Sequence, residues 1–170
     1  MKRLVLSFIV ALAATVQVIA QNPISAYLAS PDSLQLDCRF SYVIPGKVPV
    51  TGEGNVWMSG RCFKVSGNGI TVMCDGVSRW TIDEESREVY AESADDMRDF
   101  LDNPSLLLLE LQSVKYSSGT MTGVYHYDGQ DIELTFSSIK VRPASKEKPF
   151  SPESEMKGYE SRGYVVTDLR

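Results

Sequence analysis

Residues 54–92, GNVWMSGRCFKVSGNGITVMCDGVSRWTIDEESREVYAE, decide the fold because they hold short apolar runs separated by turn sequences. Asn68-Gly69 suits a hairpin turn, which needs positive φ angles, and Asp75-Gly76 is predicted to make the next turn. Gly60 interrupts the first run, and we expect a bulge or a sharp bend there. The segment predicts a meander of short antiparallel strands that continues to Ala91.

The chain before this stretch predicts a helix and then a strand. Asn22 can cap a helix and Pro23 suits its first turn, so NPISAYLAS, residues 22–30, is predicted to be a short helix. From Leu34 the pattern changes to strict alternation, which is typical of a half-buried strand. The apolar set of that strand comprises Leu36, Cys38, Phe40 and Tyr42.

The chain after this stretch contains a second hairpin, TMTGVYHYDGQDIELTFSSIKVRP, residues 120–143. If Asp128-Gly129 is a two-residue turn, the register of both strands follows from it. The predicted partners are Tyr125 with Ile132, Gly123 with Leu134, Met121 with Phe136, and His126 with Asp131. The first three pairs share one apolar face, which supports the register.

Two helices are predicted between the meander and this hairpin. Ser93 can cap ADDMRDFL, residues 94–101, and Asn103-Pro104 can start PSLLLLELQ, residues 104–112, which is apolar on nearly every side. Near the carboxyl end, PASKEKPFSPESEMKG is predicted to be a polar connection and GYVVTDLR a last strand.

These elements predict a mainly β domain with helices (α+β), built on a single curved antiparallel sheet with an apolar concave face. The terminal helix and the central helices can cover that face. A tight cover would make an ordinary core, whereas a loose cover would leave an apolar groove with a helical lid.

The amino terminus is typical of a cleaved signal peptide. Lys2 and Arg3 precede an apolar segment, and Val18-Ile19-Ala20 is a small-residue cleavage site, so we expect residues 1–20 to be removed. Residues 21–170 would then form a single exported domain. Loss of Lys2 and Arg3 takes the formal charge from −5 to −7. An acidic chain without a basic stripe argues against nucleic acid and anionic membranes as partners.

The three cysteines, Cys38, Cys62 and Cys74, allow one disulfide and a leftover thiol, or three small buried side chains. If the hairpin buries its apolar set, Cys62 points away from the face that carries Phe63 and Cys74. A Cys62–Cys74 bridge is therefore predicted to be absent. We expect no metal site, because no Cys-x-x-Cys spacing exists and the single histidine is distant.

Catalytic residues are not indicated. His126 and Asp131 are predicted neighbours, but Ser137 and Ser138 lie too far along the strand to act as a nucleophile with them. The acids Asp83, Glu84, Glu85, Asp95 and Asp96 fit solvated turns and a helix start better than a glycosidase pair. We expect no enzymatic activity and no cofactor.

Residues 25–170 resemble the outer-membrane lipoprotein carrier (LolA-like) family, in particular its Bacteroidetes-type branch. The resemblance rests on the glycine-led strand, the Asp-Gly turn with its tryptophan strand and the EV strand of residues 54–92, together with DNPSLLL and the closing YVVTDLR. Better-known members carry an Arg-Pro pair that helps to latch the lid. Here Ser59 and Gly60 stand at those places, so that latch cannot be carried over, and the chain is short for the family in the region after Ser137.

The resemblance implies an unclosed β-barrel with a helical lid over an apolar cavity. Such a protein shields the acyl chains of lipoproteins in the periplasm. It accepts them from an inner-membrane ATP-driven lipoprotein-release complex and delivers them to an outer-membrane acceptor. An alternative is a periplasmic lipid- or protein-sensing adaptor domain on the same scaffold, in envelope-stress signalling.

The predicted site is an acyl-chain cavity on one face of the sheet. Its predicted lining residues are Phe40, Phe63, Trp80, Tyr125, Leu134 and Phe136. The predicted lid residues are Leu107, Leu108 and Leu111.

Overall fold

The computed structural model describes residues 22–94, 103–148 and 150–170. In these ranges the chain forms one unclosed sheet of ten strands, mostly antiparallel, with three short helices. The mainly β fold with helices is therefore confirmed. The predicted signal peptide lies outside the described residues, as does nearly all of the predicted helix at residues 94–101.

The helices are α1 (Pro23–Ala29), α2 (Pro104–Glu110) and α3 (Pro152–Ser161). The strands are β1 (Leu34–Ile44), β2 (Val50–Ser59), β3 (Cys62–Gly67), β4 (Ile70–Cys74), β5 (Ser78–Asp83), β6 (Glu88–Ser93), β7 (Gln112–Ser117), β8 (Thr120–Tyr127), β9 (Gln130–Pro143) and β10 (Val165–Asp168). Their order across the sheet is β10-β6-β5-β4-β3-β2-β1-β9-β8-β7, so β10 and β7 are the edges.

The meander from β2 to β6 forms as the turn sequences predict. Gly60 has a φ of 55° in the tight turn between β2 and β3, which is the predicted sharp bend. Asn68 and Gly69 have φ angles of 51° and 78° between β3 and β4. Such positive φ angles match the right-handed twist of a two-residue hairpin.

The second hairpin has the predicted register. Tyr125 pairs with Ile132, Gly123 with Leu134, Met121 with Phe136, and His126 with Asp131. A two-residue turn fixes the partner of every later residue, so the positions of Asp128 and Gly129 were enough to place both strands.

Three features near the carboxyl end and after α2 differ from the prediction. β10 pairs with β6 in parallel, so the sheet is not wholly antiparallel. The predicted polar connection contains α3, which has Pro152 in its first turn and buries Tyr159. Gln112 belongs to β7, a strand that was not predicted, and α2 ends at Glu110. The β7 sequence is mostly exposed, so it lacks the alternation that identifies a strand.

Two apolar clusters lie on opposite faces of the sheet. The first core cluster is built mainly on β1–β4, β8 and β9 and includes Phe63 and Cys74. The second core cluster is built on β4–β6, Phe150 and α3 and includes Met73 and Trp80. Adjacent residues of a strand point to opposite faces, so the neighbours Met73 and Cys74 in β4 mark the change from one apolar face to the other.

Candidate functional site

An open apolar cavity of about 410 Å³ lies within the first core cluster. Side chains from six strands and α2 line it, and none of them is charged. The lining residues are Phe40, Tyr42, Ile44, Val56, Met58, Phe63, Val65, Val72, Pro104, Leu107, Leu108, Tyr125, Tyr127, Ile132, Leu134 and Phe136. Apolar pockets of this size are typical of sites for small hydrophobic ligands.

Strand pairing brings the central part of the lining together. Phe40 of β1 pairs with Phe136 of β9, and Tyr42 pairs with Leu134. On the other side of β1, Phe40 lies opposite Gly54 of β2. Residues two apart on each strand share one face, so these paired residues form a continuous apolar wall.

Glycines on β2 leave room for two aromatic rings. A Cβ atom at Gly52 would lie 2.5 Å from the Tyr42 ring, and one at Gly54 would lie 2.7 Å from the Phe40 ring. Real side chains do not approach so closely, so both rings lie over the bare backbone of β2. Because Gly52 and Gly54 have no side chains, the two rings lie close to the β2 backbone and leave the cavity open.

Five of the six predicted lining residues border the cavity: Phe40, Phe63, Tyr125, Leu134 and Phe136. Trp80 does not, and this prediction is corrected. Trp80 pairs with Met73 and packs in the second core cluster, with the Arg170 guanidinium 5.7 Å from the centre of its ring.

The alternating pattern of β4 was enough to exclude Trp80 from the cavity face. Cys74 shares the cavity face with Phe63, because the two residues are paired. A two-residue loop would pair Trp80 with Thr71, and the four-residue loop of the structure pairs it with Met73. Both partners lie an odd number of residues from Cys74, so either loop places Trp80 on the opposite face.

Two of the three predicted lid residues border the cavity. Leu107 and Leu108 of α2 line it, whereas Leu111 follows the helix and packs beside Gly123 in the first core cluster. The Asn103 side chain accepts a hydrogen bond from the Ser105 backbone nitrogen, as in a helix cap. The cap fixes the start of α2 and thereby which leucines point inward.

Five of the lining residues that were not predicted follow from the same alternation. Tyr42 and Ile44 continue the face of Phe40 in β1, and Val65 continues the face of Phe63 in β3. Ile132 and Tyr127 continue the faces of Leu134 and Tyr125. The strand pattern was sufficient to find these five, because each lies two or four residues from a predicted member on the same strand.

One end of the cavity is closed and the other is open. Met58, Phe63 and Phe136 at the closed end are at most 4% exposed, whereas Tyr127 is 50% exposed. The open end is formed where β1, β3 and β8 finish and turn. There the Asn68 side-chain amide donates a hydrogen bond of 2.8 Å to the Tyr42 hydroxyl.

The residues considered for catalysis do not lie in the cavity. His126 Nδ1 and Asp131 Oδ1 are in contact on the outer face, where both side chains are more than half exposed. Ser137 pairs with Arg39 of β1, away from that contact. In the part of the chain that the structure describes, no three His, Cys, Asp or Glu side chains converge on a metal-sized site.

The cysteines are free thiols. Phe63, not Cys62, is the partner of Cys74, so the register argument is confirmed. The Cys62 thiol donates to the Asp75 carbonyl oxygen at 3.1 Å. Burial raises the pKa of Cys38 to about 12 and also raises the pKa of Cys74. Both buried thiols are therefore uncharged at neutral pH and act as small apolar side chains.

Comparison with protein-family models and with curated proteins finds no match to this chain. The likeness to lipoprotein carriers therefore rests on the sequence motifs alone. Among the described residues, no helix is both long enough and apolar enough to span a membrane.

Proposed function

We propose that this protein is a periplasmic carrier that shields acyl chains of lipoproteins between the inner and outer membranes. In this proposal the curved sheet acts as an unclosed β-barrel and α2 acts as its lid. An inner-membrane ATP-driven release complex would supply the cargo, and an outer-membrane acceptor would receive it. The predicted signal peptide accounts for export to that compartment.

The observation that carries the proposal is the open apolar cavity with no charged lining residue. Protein interiors contain few voids larger than a water molecule, so an apolar space of about 410 Å³ calls for an occupant. Burial contributes about 0.8 kcal/mol for each methylene group. Even a partly enclosed chain can therefore reach micromolar affinity, from which a carrier can still release its cargo.

Adjacent leucines of α2 provide a matched test. Leu108 is 7% exposed and lines the cavity, whereas Leu109 is 63% exposed. We expect Leu108→Asp to abolish saturable binding of a fluorescent acylated peptide, because it places a carboxylate against the acyl chain. Leu109→Asp adds the same charge to the same helix and should bind like the wild type.

Thermal melts should accompany these titrations. A folded Leu108→Asp variant that no longer binds would support the lid role of α2. No saturable binding by the wild type, together with a collapsed melting temperature of Leu108→Asp, would instead identify this region as an ordinary core.

A further inference from the structure

We infer that the outer face of the sheet holds a second site, which binds a hydrophilic ligand with one carboxylate and several hydroxyl groups, the chemistry of a sugar acid. The site is a polar hollow of about 390 Å³ over β9, β1, β2 and β3, here called the outer hollow. Its polar lining side chains are Arg39, Ser41, Glu53, Asn55, Ser66 and Ser137. This inference goes beyond the proposed carrier function and does not depend on it.

One row of the outer hollow runs across four strands. Arg39 of β1 pairs with Ser137 of β9 and with Asn55 of β2. Asn55 in turn pairs with Ser66 of β3. Successive residues of a strand point to opposite faces, and Phe40, which follows Arg39, borders the apolar cavity. The outer hollow therefore lies behind the cavity wall, with the sheet between the two.

The backbone leaves space above the sheet at this place. The register of β1 with β9 shifts just before Arg39, and Ser138, which follows Ser137, has a φ of 53°. Such a bulge bends the strand and re-aims its side chains, and bulges are common beside functional sites. Gly54 and Gly67 are paired and also line the outer hollow, so part of its lining is bare backbone.

The polar groups of the outer hollow are available to a ligand. None of its six polar side chains forms a hydrogen bond or an ion pair with another described residue. Other charges on the same face are paired, Lys64 with Glu155 at 3.2 Å and Arg142 with Asp37 at 3.6 Å. A ligand that enters the outer hollow therefore breaks no hydrogen bond within the described protein, which lowers the cost of binding.

The charges of the outer hollow favour a single carboxylate. The Arg39 guanidinium has the planar pair of N–H donors that matches a carboxylate. Glu53 lies two residues before Asn55, the partner of Arg39, and is its diagonal neighbour on β2. Glu53 would repel a second negative charge, but its carboxylate accepts hydrogen bonds from hydroxyl groups. A dianion such as phosphate is therefore disfavoured.

The neutral groups of the outer hollow suit ligand hydroxyls. Ser41, Ser66 and Ser137 can each donate and accept a hydrogen bond, and the Asn55 amide can do both. The Phe40 ring packs with the first core cluster on the cavity side of the sheet. The outer hollow therefore offers little apolar surface, and its ligand must gain affinity from polar contacts.

The test is an NMR titration of the purified protein, followed through its backbone amide shifts, with glucuronate, glucose, propionate and phosphate. Glucuronate has a carboxylate and hydroxyl groups, whereas glucose lacks the carboxylate and propionate lacks the hydroxyl groups. We expect glucuronate to shift the Arg39, Asn55 and Ser66 amides saturably. The other three compounds should bind there at least tenfold more weakly.

Two arginine variants provide a matched comparison. Arg39→Gln removes the cation of the outer hollow and should weaken glucuronate binding at least tenfold, to the level of glucose. Arg142→Gln removes the same charge from the same face, outside the described lining, and should leave glucuronate binding unchanged. Both arginines are exposed, so both variants should fold like the wild type.

The outcomes are distinct. Absence of a saturable shift with glucuronate, or equal weakening by both arginine variants, would overturn the site. Glucose or propionate binding as tightly as glucuronate would overturn the assignment of a hydroxylated carboxylate, and equally tight phosphate binding would overturn the selectivity assigned to Glu53. Binding of a fluorescent acylated peptide, which tests the carrier function, should be the same for Arg39→Gln and the wild type.

Discussion

The two apolar faces of this sheet are filled in different ways. The second core cluster is covered by α3 and Phe150. The first core cluster encloses a cavity of about 410 Å³ and is open at one end. One apolar face is therefore packed like an ordinary interior, while the other leaves apolar surface uncovered.

The difference indicates that one face stabilises the fold and the other is available for a ligand. Close packing in the second core cluster stabilises the sheet without help from a ligand. The cavity walls, by contrast, lack contacts on one side, and a bound apolar ligand would supply them. Substitutions of the same type should therefore have unequal effects in the two regions.

The largest difference in stability is expected for isoleucine truncation. Ile82 is fully buried in the second core cluster, whereas Ile132 is half-buried and borders the cavity. Ile82→Ala should lower the free energy of unfolding by about 3–4 kcal/mol, because it creates a new void. Ile132→Ala should cost only about 1 kcal/mol, since it enlarges an existing void. Urea denaturation of both variants measures the two free energies of unfolding. Equal losses of stability would contradict the difference between the two faces.

Valine enlargement should give a smaller effect in the same direction. Val89 has no exposed surface, so Val89→Phe should cost about 2–3 kcal/mol through overpacking. Val72 lines the cavity, and a phenyl ring there can enter empty space, so Val72→Phe should cost less than about 1 kcal/mol. Thermal melts of the two variants compare them. A collapsed Val72→Phe protein would show that the cavity is smaller than described.

The smallest effect concerns the surface beside the second core cluster. Arg170 bonds Asp168 through its side chain and its backbone nitrogen, which lowers the pKa of Asp168 to about 2. Because the folded pKa is depressed, the stabilisation is present above the usual carboxyl pKa of about 3.9 and is lost as the pH falls through about 2. Arg170→Gln should raise the pKa of Asp168 toward its usual value, as NMR titration of the carboxyl would show. An unchanged pKa would contradict the assigned cause.

Turn chemistry explains why much of the fold could be predicted. Asp128-Gly129 determined the register of β8 and β9, and Asn68-Gly69 determined the junction of β3 and β4. Local φ preferences and a period of two residues are written directly in the sequence. Five lining residues followed from the same pattern, and only Trp80 was placed on the wrong face.

The features that were missed depend on distant contacts. α3 is largely polar, and its position is fixed by Tyr159 packing against the second core cluster. The parallel pairing of β10 with β6 depends on where α3 returns the chain. The volume of the cavity depends on how closely α2 approaches the sheet. None of these is set by neighbouring residues, so a local pattern does not reveal them.

The most direct test of the central claim is a binding titration with the matched valine variants. A fluorescent acylated peptide is titrated against the wild type, Val72→Phe and Val89→Phe under conditions in which all three are folded. We expect saturable one-to-one binding by the wild type, loss of at least tenfold in affinity for Val72→Phe because its ring occupies the acyl-chain site, and unchanged affinity for Val89→Phe. Wild-type binding that Val72→Phe leaves intact, or no saturable binding at all, would contradict the claim that the cavity holds an acyl chain.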